Sequence, residues 1–292
     1  MGFSIFHEAR VGGRAKNEDF CDYTYTDKSL FMVLADGMGG HLYGEIASRL
    51  VVTHMIDCHL NAAKPIIEDH YSFLSETCKS ANRVILEYAS INGLLEIPRT
   101  TVVACLIQNG MLYHAHLGDS RLYVLGKDGE LKRRTKDHTR IQYLMDHMEI
   151  SVNEVLFHPD RNKVYNCLGL FNPSIPSLEE LPLSHGDIVI LCSDGLWNYV
   201  TEQEMWGYTS VPPLSIMGSN LMDLAESRGG VNRDNLTLMA LLWSHIDISC
   251  LPDVDTVLSG YATQKNFCCE EVLENFEDSV FDELEDEIML EL

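Results

Sequence analysis

The apolar residues fall into short runs separated by polar punctuation, not into one long periodic pattern. Residues 30–35, Leu-Phe-Met-Val-Leu-Ala, form a continuous apolar run of strand length. Beyond it, Ile46, Ala47, Leu50, Val51, Met55 and Cys58 recur at three and four, which predicts an amphipathic helix over 44–60. A second helix is expected over 72–91. Three strand-like runs follow at 101–107, 111–117 and 121–125. Gln108-Asn109-Gly110 joins the first two as a hairpin, and 126–129 turns the chain after the third. Residues 139–182 read as irregular, with short helical pieces and four prolines between 159 and 182. A buried strand at 188–192, helices near 201–208 and 214–227, and a last strand at 236–243 complete the series. Strands come in runs with helices between the runs. That predicts an α+β fold built in layers, not an alternating parallel α/β fold. No internal repeat or low-complexity tract interrupts it.

Charge changes the picture at the C-terminal end. The chain of 292 residues carries 44 acidic and 21 basic side chains, a net charge of −23. Residues 1–244 hold 30 acids and 20 bases, whereas residues 245–292 hold 14 acids and one base, Lys265. The composition boundary predicts a main domain over 1–244 and an acidic C-terminal tail over 245–292. Within the tail, 270–292 has 11 acids and no base, and Val272, Phe276, Val280, Leu284 and Ile288 recur at four. This is the pattern of an acidic amphipathic helix. Three readings of it stay open: a solvated extension, a helix docked on its own domain, and a helix offered to a protein partner with a basic rim.

The same charge argues against nucleic acid, whose phosphates demand Lys and Arg, and against anionic membrane surfaces. No apolar run reaches the ~18 residues of a membrane span. The start shows no secretory pattern, and Phe6 stands where a myristoylation signal needs Ser or Thr. The nine cysteines contain no Cys-x-x-Cys pair. Reduced thiols, packed as small hydrophobes in a cytoplasmic protein, are the expectation.

Candidate chemistry appears where the carboxylates meet this map. Asp36, Asp119 and Asp194 each follow a predicted strand, and Asp234 precedes the last one. Glu18 and Asp19 form a fifth acidic point. Asp-Gly is also a common turn signal, so any single one of these has a bland explanation. Four at strand ends together point to clustered carboxylates, which repel unless a cation neutralises them. Oxygen-only donors favour hard ions such as Mg²⁺ or Mn²⁺.

These residues carry a family resemblance. The ordered set is Arg14-x-x-Asn17-Glu18-Asp19, Asp36-Gly37-Met38-Gly39-Gly40-His41-x-x-Gly44-Glu45, Thr100-Thr101, Gly118-Asp119-Ser120-Arg121, Asp137-His138-Thr139, Ser193-Asp194-Gly195 and Asp234-Asn235. It resembles the metal-dependent serine/threonine protein phosphatases, the PPM family of protein phosphatase 2C type in its bacterial form, over about residues 3–243. The resemblance implies a four-layer α-β-β-α sandwich of two antiparallel sheets with metals at one end. It implies that Asp36 bridges two Mn²⁺ or Mg²⁺ ions, that the Gly37 carbonyl binds one, and that Asp194 and Asp234 complete the other. Asp119, with Asp194, corresponds to ligands of a third ion. Glu18 and Asp19 act through metal-bound waters, and Arg14 grips the substrate phosphate. The implied reaction is hydrolysis of phosphoserine or phosphothreonine in proteins by a metal-activated water, opposing a serine/threonine kinase and its targets.

Three positions depart from or qualify the pattern. Met38 stands where many eukaryotic relatives have His, so no general acid is assigned; His41 nearby is read as structural, the alternative being an acid. Arg99 precedes Thr100, where the family often has Gly, and is expected to point outward, the alternative being a cation that affects phosphate binding. Residues 139–182 resemble a mobile, substrate-selecting flap, with His138 and His158 as structural residues. The rival readings are a catalytically inactive phosphatase-like scaffold and a phosphoesterase acting on small molecules.

Overall fold

The computed structural model describes residues 2–38, 43–155, 158–161, 163–172, 174–209, 213–231 and 233–244. His41, and the tail 245–292 with its expected helix at 270–292, lie outside the described residues.

Among the described residues, ten strands form two antiparallel sheets of five. One sheet runs in the spatial order β1 (Gly2–Arg10), β10 (Leu236–Ser244), β9 (Ile188–Cys192), β6 (Arg121–Leu125) and β7 (Leu131–Arg134). The other runs β2 (Asp19–Tyr25), β3 (Ser29–Asp36), β4 (Val102–Gln108), β5 (Met111–Leu117) and β8 (Ser177–Pro182). The continuous apolar run in β3 has a direct structural cause, because both of its faces are buried. Phe31, Val33 and Ala35 face the helices α1 (Gly44–Ala62) and α2 (His70–Ile91). Leu30, Met32 and Leu34 face Val189, Leu191, Met239 and Leu241 of the opposite sheet. On the outer side of that opposite sheet, Ile190, Leu238 and Ala240 pack on Met217, Leu221 and Ala225 of α7 (Leu214–Gly229). The result is helix, sheet, sheet, helix, with apolar cores between successive layers. Shorter helices α3 (Arg140–Asp146), α4 (Val152–Val155), α5 (Asp194–Trp197) and α6 (Glu202–Thr209) fill the connections. No helix among the described residues is long and apolar enough to cross a membrane.

Helix α1 buries Ile46, Ala47, Val51 and Met55, while Leu50 and Cys58 on the same stripe are half-buried. Helix α2 starts two residues earlier than its apolar period, because the Asp69 side chain accepts a hydrogen bond from Ser72 N at 2.9 Å and caps the first turn. Four strands escape the hydrophobic pattern. β1, β7, β2 and β8 are the outer strands of the two sheets, so their residues are largely half-exposed and their apolar content is diluted. β8 corrects the reading of 139–182 as irregular throughout. Its Ser177–Pro182 stretch is an edge strand paired to β5. The six described cysteines are free thiols.

Candidate active site

The five aspartates meet because the strand ends that carry them are neighbours. Asp19, the first residue of β2, stands opposite Asp36, the last of β3. Cys192 at the end of β9 pairs with Leu238 of β10 on one side and Arg121 of β6 on the other. Asp194, Asp234 and Asp119 each lie two residues from one of these three strands. A cleft of about 1000 Å³ opens there, lined by Arg14, Asp36, Gly37, Asp119, Asp194 and Asp234 among others. Glu18 and Asp19 are not among the lining residues, and Asp19 is buried.

Backbone contacts hold the turns in register. Gly37 N donates to Glu18 O at 3.0 Å, and a Cβ on Gly37 would run into the Gly44 carbonyl, so the two loops approach only because neither carries a side chain there. Thr101 N donates to Asp36 O at 2.9 Å and Thr100 Oγ1 to the same oxygen at 2.8 Å. Asn235 ties the loop carrying Arg14 to β10. Its Oδ1 accepts from Glu18 N at 2.9 Å, and its Nδ2 donates to Val11 O and Lys16 O at 2.8 and 2.9 Å. Ser193 Oγ donates to Asp19 Oδ2 at 2.7 Å and accepts from Thr237 N at 3.0 Å. The Asp119 carbonyl accepts from Trp197 Nε1 at 2.9 Å. Arg121 lies over the Trp197 ring, its Cζ 3.5 Å from the centroid, and makes a two-pronged bond to Asp137 at 2.8 and 2.7 Å.

Crowding raises the proton affinity of the cluster. Asp36 and Asp194 are held well above the usual carboxylate range, first by burial and then by neighbouring aspartates: Asp19 and Asp194 lead for Asp36, Asp119 and Asp234 for Asp194. Burial, with Asp137 next, pushes Asp119 up to about 7. Burial pushes Asp19 up to about 6, although its bond from Ser193 opposes the rise. Glu18 is raised by burial and then by Glu45. Against this cluster stands Arg14, whose Nη2 lies 2.7 Å from Asp234 Oδ2. Asp19 Oδ1 is buried with no hydrogen-bond partner.

An oxygen-only set of buried, mutually repelling carboxylates with an orphaned oxygen fits hard divalent cations. Among the described residues no ready-formed group of three His, Cys, Asp or Glu side chains encloses a metal position. The fit therefore rests on donor type and charge.

Other expected positions resolve individually. Arg99 corrects its expectation: it lines the cleft and does not point outward. Met38 also lines the cleft, with its N–H on Arg99 O at 3.0 Å. His138 is buried, and His158 accepts from Asp160 N at 3.1 Å. Cys167 lines the cleft as well, but burial pushes its thiol up to about 11. Sequence reasoning assigned no role to Asn235, Ser193 or the Arg121–Asp137 pair. They stood in the ordered motif set, but a place in a motif beside an apolar strand end does not distinguish a tether from a turn.

Known proteins match this arrangement. The family described as Protein phosphatase 2C matches residues 9–225. The serine/threonine protein phosphatase PstP of Mycobacterium tuberculosis is 35% identical over 226 residues, covering 77% of this chain and 42% of that protein. This chain thus spans about two fifths of that relative's length. The serine/threonine phosphatase stp of Listeria innocua is 32% identical over 215 residues, covering 73% of this chain and 84% of that protein. The crystal structure of the PstP catalytic domain in complex with two manganese ions superposes with a TM-score of 0.70 at 31% identity, over 82% of this chain and 97% of that one. The two-sheet sandwich is the architecture of the bacterial PPM phosphatases. The chain belongs to the protein phosphatase 2C family.

Proposed function

We propose that this chain hydrolyses phosphoserine and phosphothreonine in proteins with the aid of Mn²⁺ or Mg²⁺, opposing a serine/threonine kinase. Asp36, the Gly37 carbonyl, Asp194 and Asp234 would hold two ions. Asp119 with Asp194 would hold a third, and Glu18 and Asp19 would act through intervening waters. The observation that carries this reading is the gathering of Asp36, Asp119 and Asp194 in one cleft with their proton affinities raised by burial and mutual repulsion.

Bound cations supply an activated water and neutralise charge on the phosphoryl oxygens. The chain's own residues do the rest. Arg14 has a planar fork suited to two phosphate oxygens, and at the cleft mouth it exchanges its bond to Asp234 for the incoming phosphate. Ser193 fixes the orientation of Asp19, and Asn235 fixes the Arg14 loop. The thiol of Cys167 stays protonated at neutral pH and is a poor nucleophile. Met38 offers no proton to the leaving oxygen. The acidic tail 245–292 is read as a regulatory or partner-facing segment, dispensable for the chemistry.

Release of phosphate from a phosphothreonine peptide, compared with a nucleoside monophosphate in the same Mn²⁺ buffer, tests the substrate class. Turnover of the peptide well above the nucleotide is expected. Preference for the nucleotide would assign a small-molecule phosphoesterase, and no turnover of either would assign an inactive scaffold.

A further inference from the structure

The turn that carries Asp119 is gripped by one residue that the reaction itself does not use. His138 is 8% exposed and lies between that turn and the segment 163–168 on another wall of the cleft. Its ring Nδ1 has two N–H donors, Gly118 N at 3.3 Å and Asn166 Nδ2 at 3.1 Å. The Gly118 donor is backbone, and Asn166 Nδ2 also donates to Ile175 O at 3.1 Å, which fixes the amide orientation. Nδ1 is therefore the bare, accepting nitrogen. The ring proton sits on Nε2, which donates to Ser177 Oγ of β8 at 2.9 Å. The His116 ring stacks on the His138 ring at 4.5 Å between centroids and is itself fixed, with Nε2 2.8 Å from Lys136 O.

The backbone of His138 repeats the connection. His138 N donates to Gly118 O at 2.9 Å, and Tyr165 N donates to His138 O at 2.9 Å. Gly118 thus has both its N–H and its C=O committed to one residue. Gly118 adopts φ +107° and lies close against Thr101, where an added Cβ would stand 2.6 Å from Thr101 Cβ. On the same segment, Leu168 N donates to Thr100 O at 2.9 Å, and the adjacent Thr101 N donates to Asp36 O at 2.9 Å. Residues 165–168 are therefore hydrogen-bonded to the supports of both carboxylates, through His138 for Asp119 and through Thr100 for Asp36.

We propose that His138 is a positioning residue: its accepting Nδ1 fixes the Gly118–Asp119 turn and couples the state of Asp119 to the segment at Tyr165 and Asn166. This rests on the assignment of Asp119 as a cation-holding residue. Cation binding at Asp119 should tighten the Gly118–His138–Asn166 chain and protect the Tyr165 amide. Loss of the acceptor should weaken the Asp119 site and uncouple the segment, on the scale of about 10–100-fold that residues supporting metal ligands show.

The test uses the full chain and Mn²⁺ alone as ligand. His138→Leu removes the acceptor at similar volume. His138→Asn restores it, since Oδ1 stands where Nδ1 stood. Mn²⁺ affinities are read by calorimetry, and amide exchange is read on peptides spanning Tyr165 and Asn166. In the wild type, Mn²⁺ should slow exchange there. His138→Leu should lose that slowing and weaken the weakest Mn²⁺ site about tenfold or more, and His138→Asn should recover both. Asn166→Ala removes the side-chain link on the segment side and leaves the Tyr165 N–His138 O bond, so it should reduce the slowing and keep the affinities, a readout that stands even if His138→Leu does not fold. Wild-type affinities and slowing in His138→Leu, undiminished slowing in Asn166→Ala, or a folded His138→Asn that behaves as His138→Leu would overturn the proposal. A wild-type chain that bound no Mn²⁺ would overturn both this inference and the reading of the site beneath it.

Discussion

Arg14 and Asp234, 220 residues apart in sequence, meet at the cleft mouth with Nη2 and Oδ2 2.7 Å apart and both side chains about half exposed. The pair sets phosphate recognition against cation binding, because Arg14 neutralises a carboxylate proposed to hold a cation. Arg14→Ala should therefore raise KM for a phosphopeptide while tightening Mn²⁺ binding. An exposed pair of this kind contributes ~0.2–1 kcal/mol, so the gain in affinity should be a few-fold at most. Steady-state kinetics and calorimetry on one preparation decide it. An unchanged KM would remove Arg14 from phosphate recognition.

Asp36 offers a trade between stability and function. A carboxylate held well above its usual range by burial and by Asp19 and Asp194 destabilises the metal-free fold at neutral pH. Asp36→Asn should melt higher than the wild type without metal, yet bind Mn²⁺ weakly. Turnover should fall by about 10²–10³-fold or more, the scale of losing a preorganised charge at a reacting centre. Thermal melting with and without Mn²⁺ reads the first effect and peptide hydrolysis the second. Wild-type turnover would displace Asp36 from the site.

In the metal-free chain Asp119 carries a pH-dependent cost of defined sign. Burial holds it at about 7, against about 3.9 for an unfolded Asp. Between those values the native state holds a proton that the unfolded chain has released, so this group's contribution to stability falls as pH rises from about 4 to 7. His54, His59, His114, His116 and His138 are lowered by burial and act in the opposite sense until about pH 7.5. The carboxylate's share is therefore read as the stability of Asp119→Asn minus that of the wild type, without Mn²⁺. That difference should grow between about pH 5 and 7.5. Calorimetric melting of both chains across this range checks the sign, and a difference that shrank as pH rose would contradict it.

Truncation after Ser244 removes the acidic tail and leaves β10 whole, with all nine of its register partners to β1. The shortened chain should fold and hydrolyse a small phosphoester at an unchanged rate, measured side by side with the full chain. Loss of folding or of small-substrate turnover would place the tail within the catalytic unit.

The sequence made the buried centre of each sheet legible and left the rims obscure. β3, β4, β5, β9 and β10 read as apolar runs because both faces are covered, and the aspartates at their ends are legible as a set. β1 and β8 are edge strands whose half-exposed faces dilute the hydrophobic pattern. The site's carboxylates and Arg14 were readable as residue types in order. Their tethers were not, because Asn235 bonded to Val11 and His138 bonded to Gly118 are contacts between distant segments that leave no local period. Arg99 faced the cleft against expectation for the same reason. Its direction is set by the 98–100 backbone packing against Gly169 and Leu168, which no local pattern encodes.

The most direct test of the central claim is phosphate release from a phosphothreonine peptide at pH 7.5 by the full chain, first with Mn²⁺, then with excess EDTA, then with Mn²⁺ restored. Turnover that requires Mn²⁺ or Mg²⁺, is abolished by the chelator and returns on re-addition is the predicted result. Full turnover in EDTA would contradict the reading of Asp36, Asp194 and Asp234 as cation-holding residues.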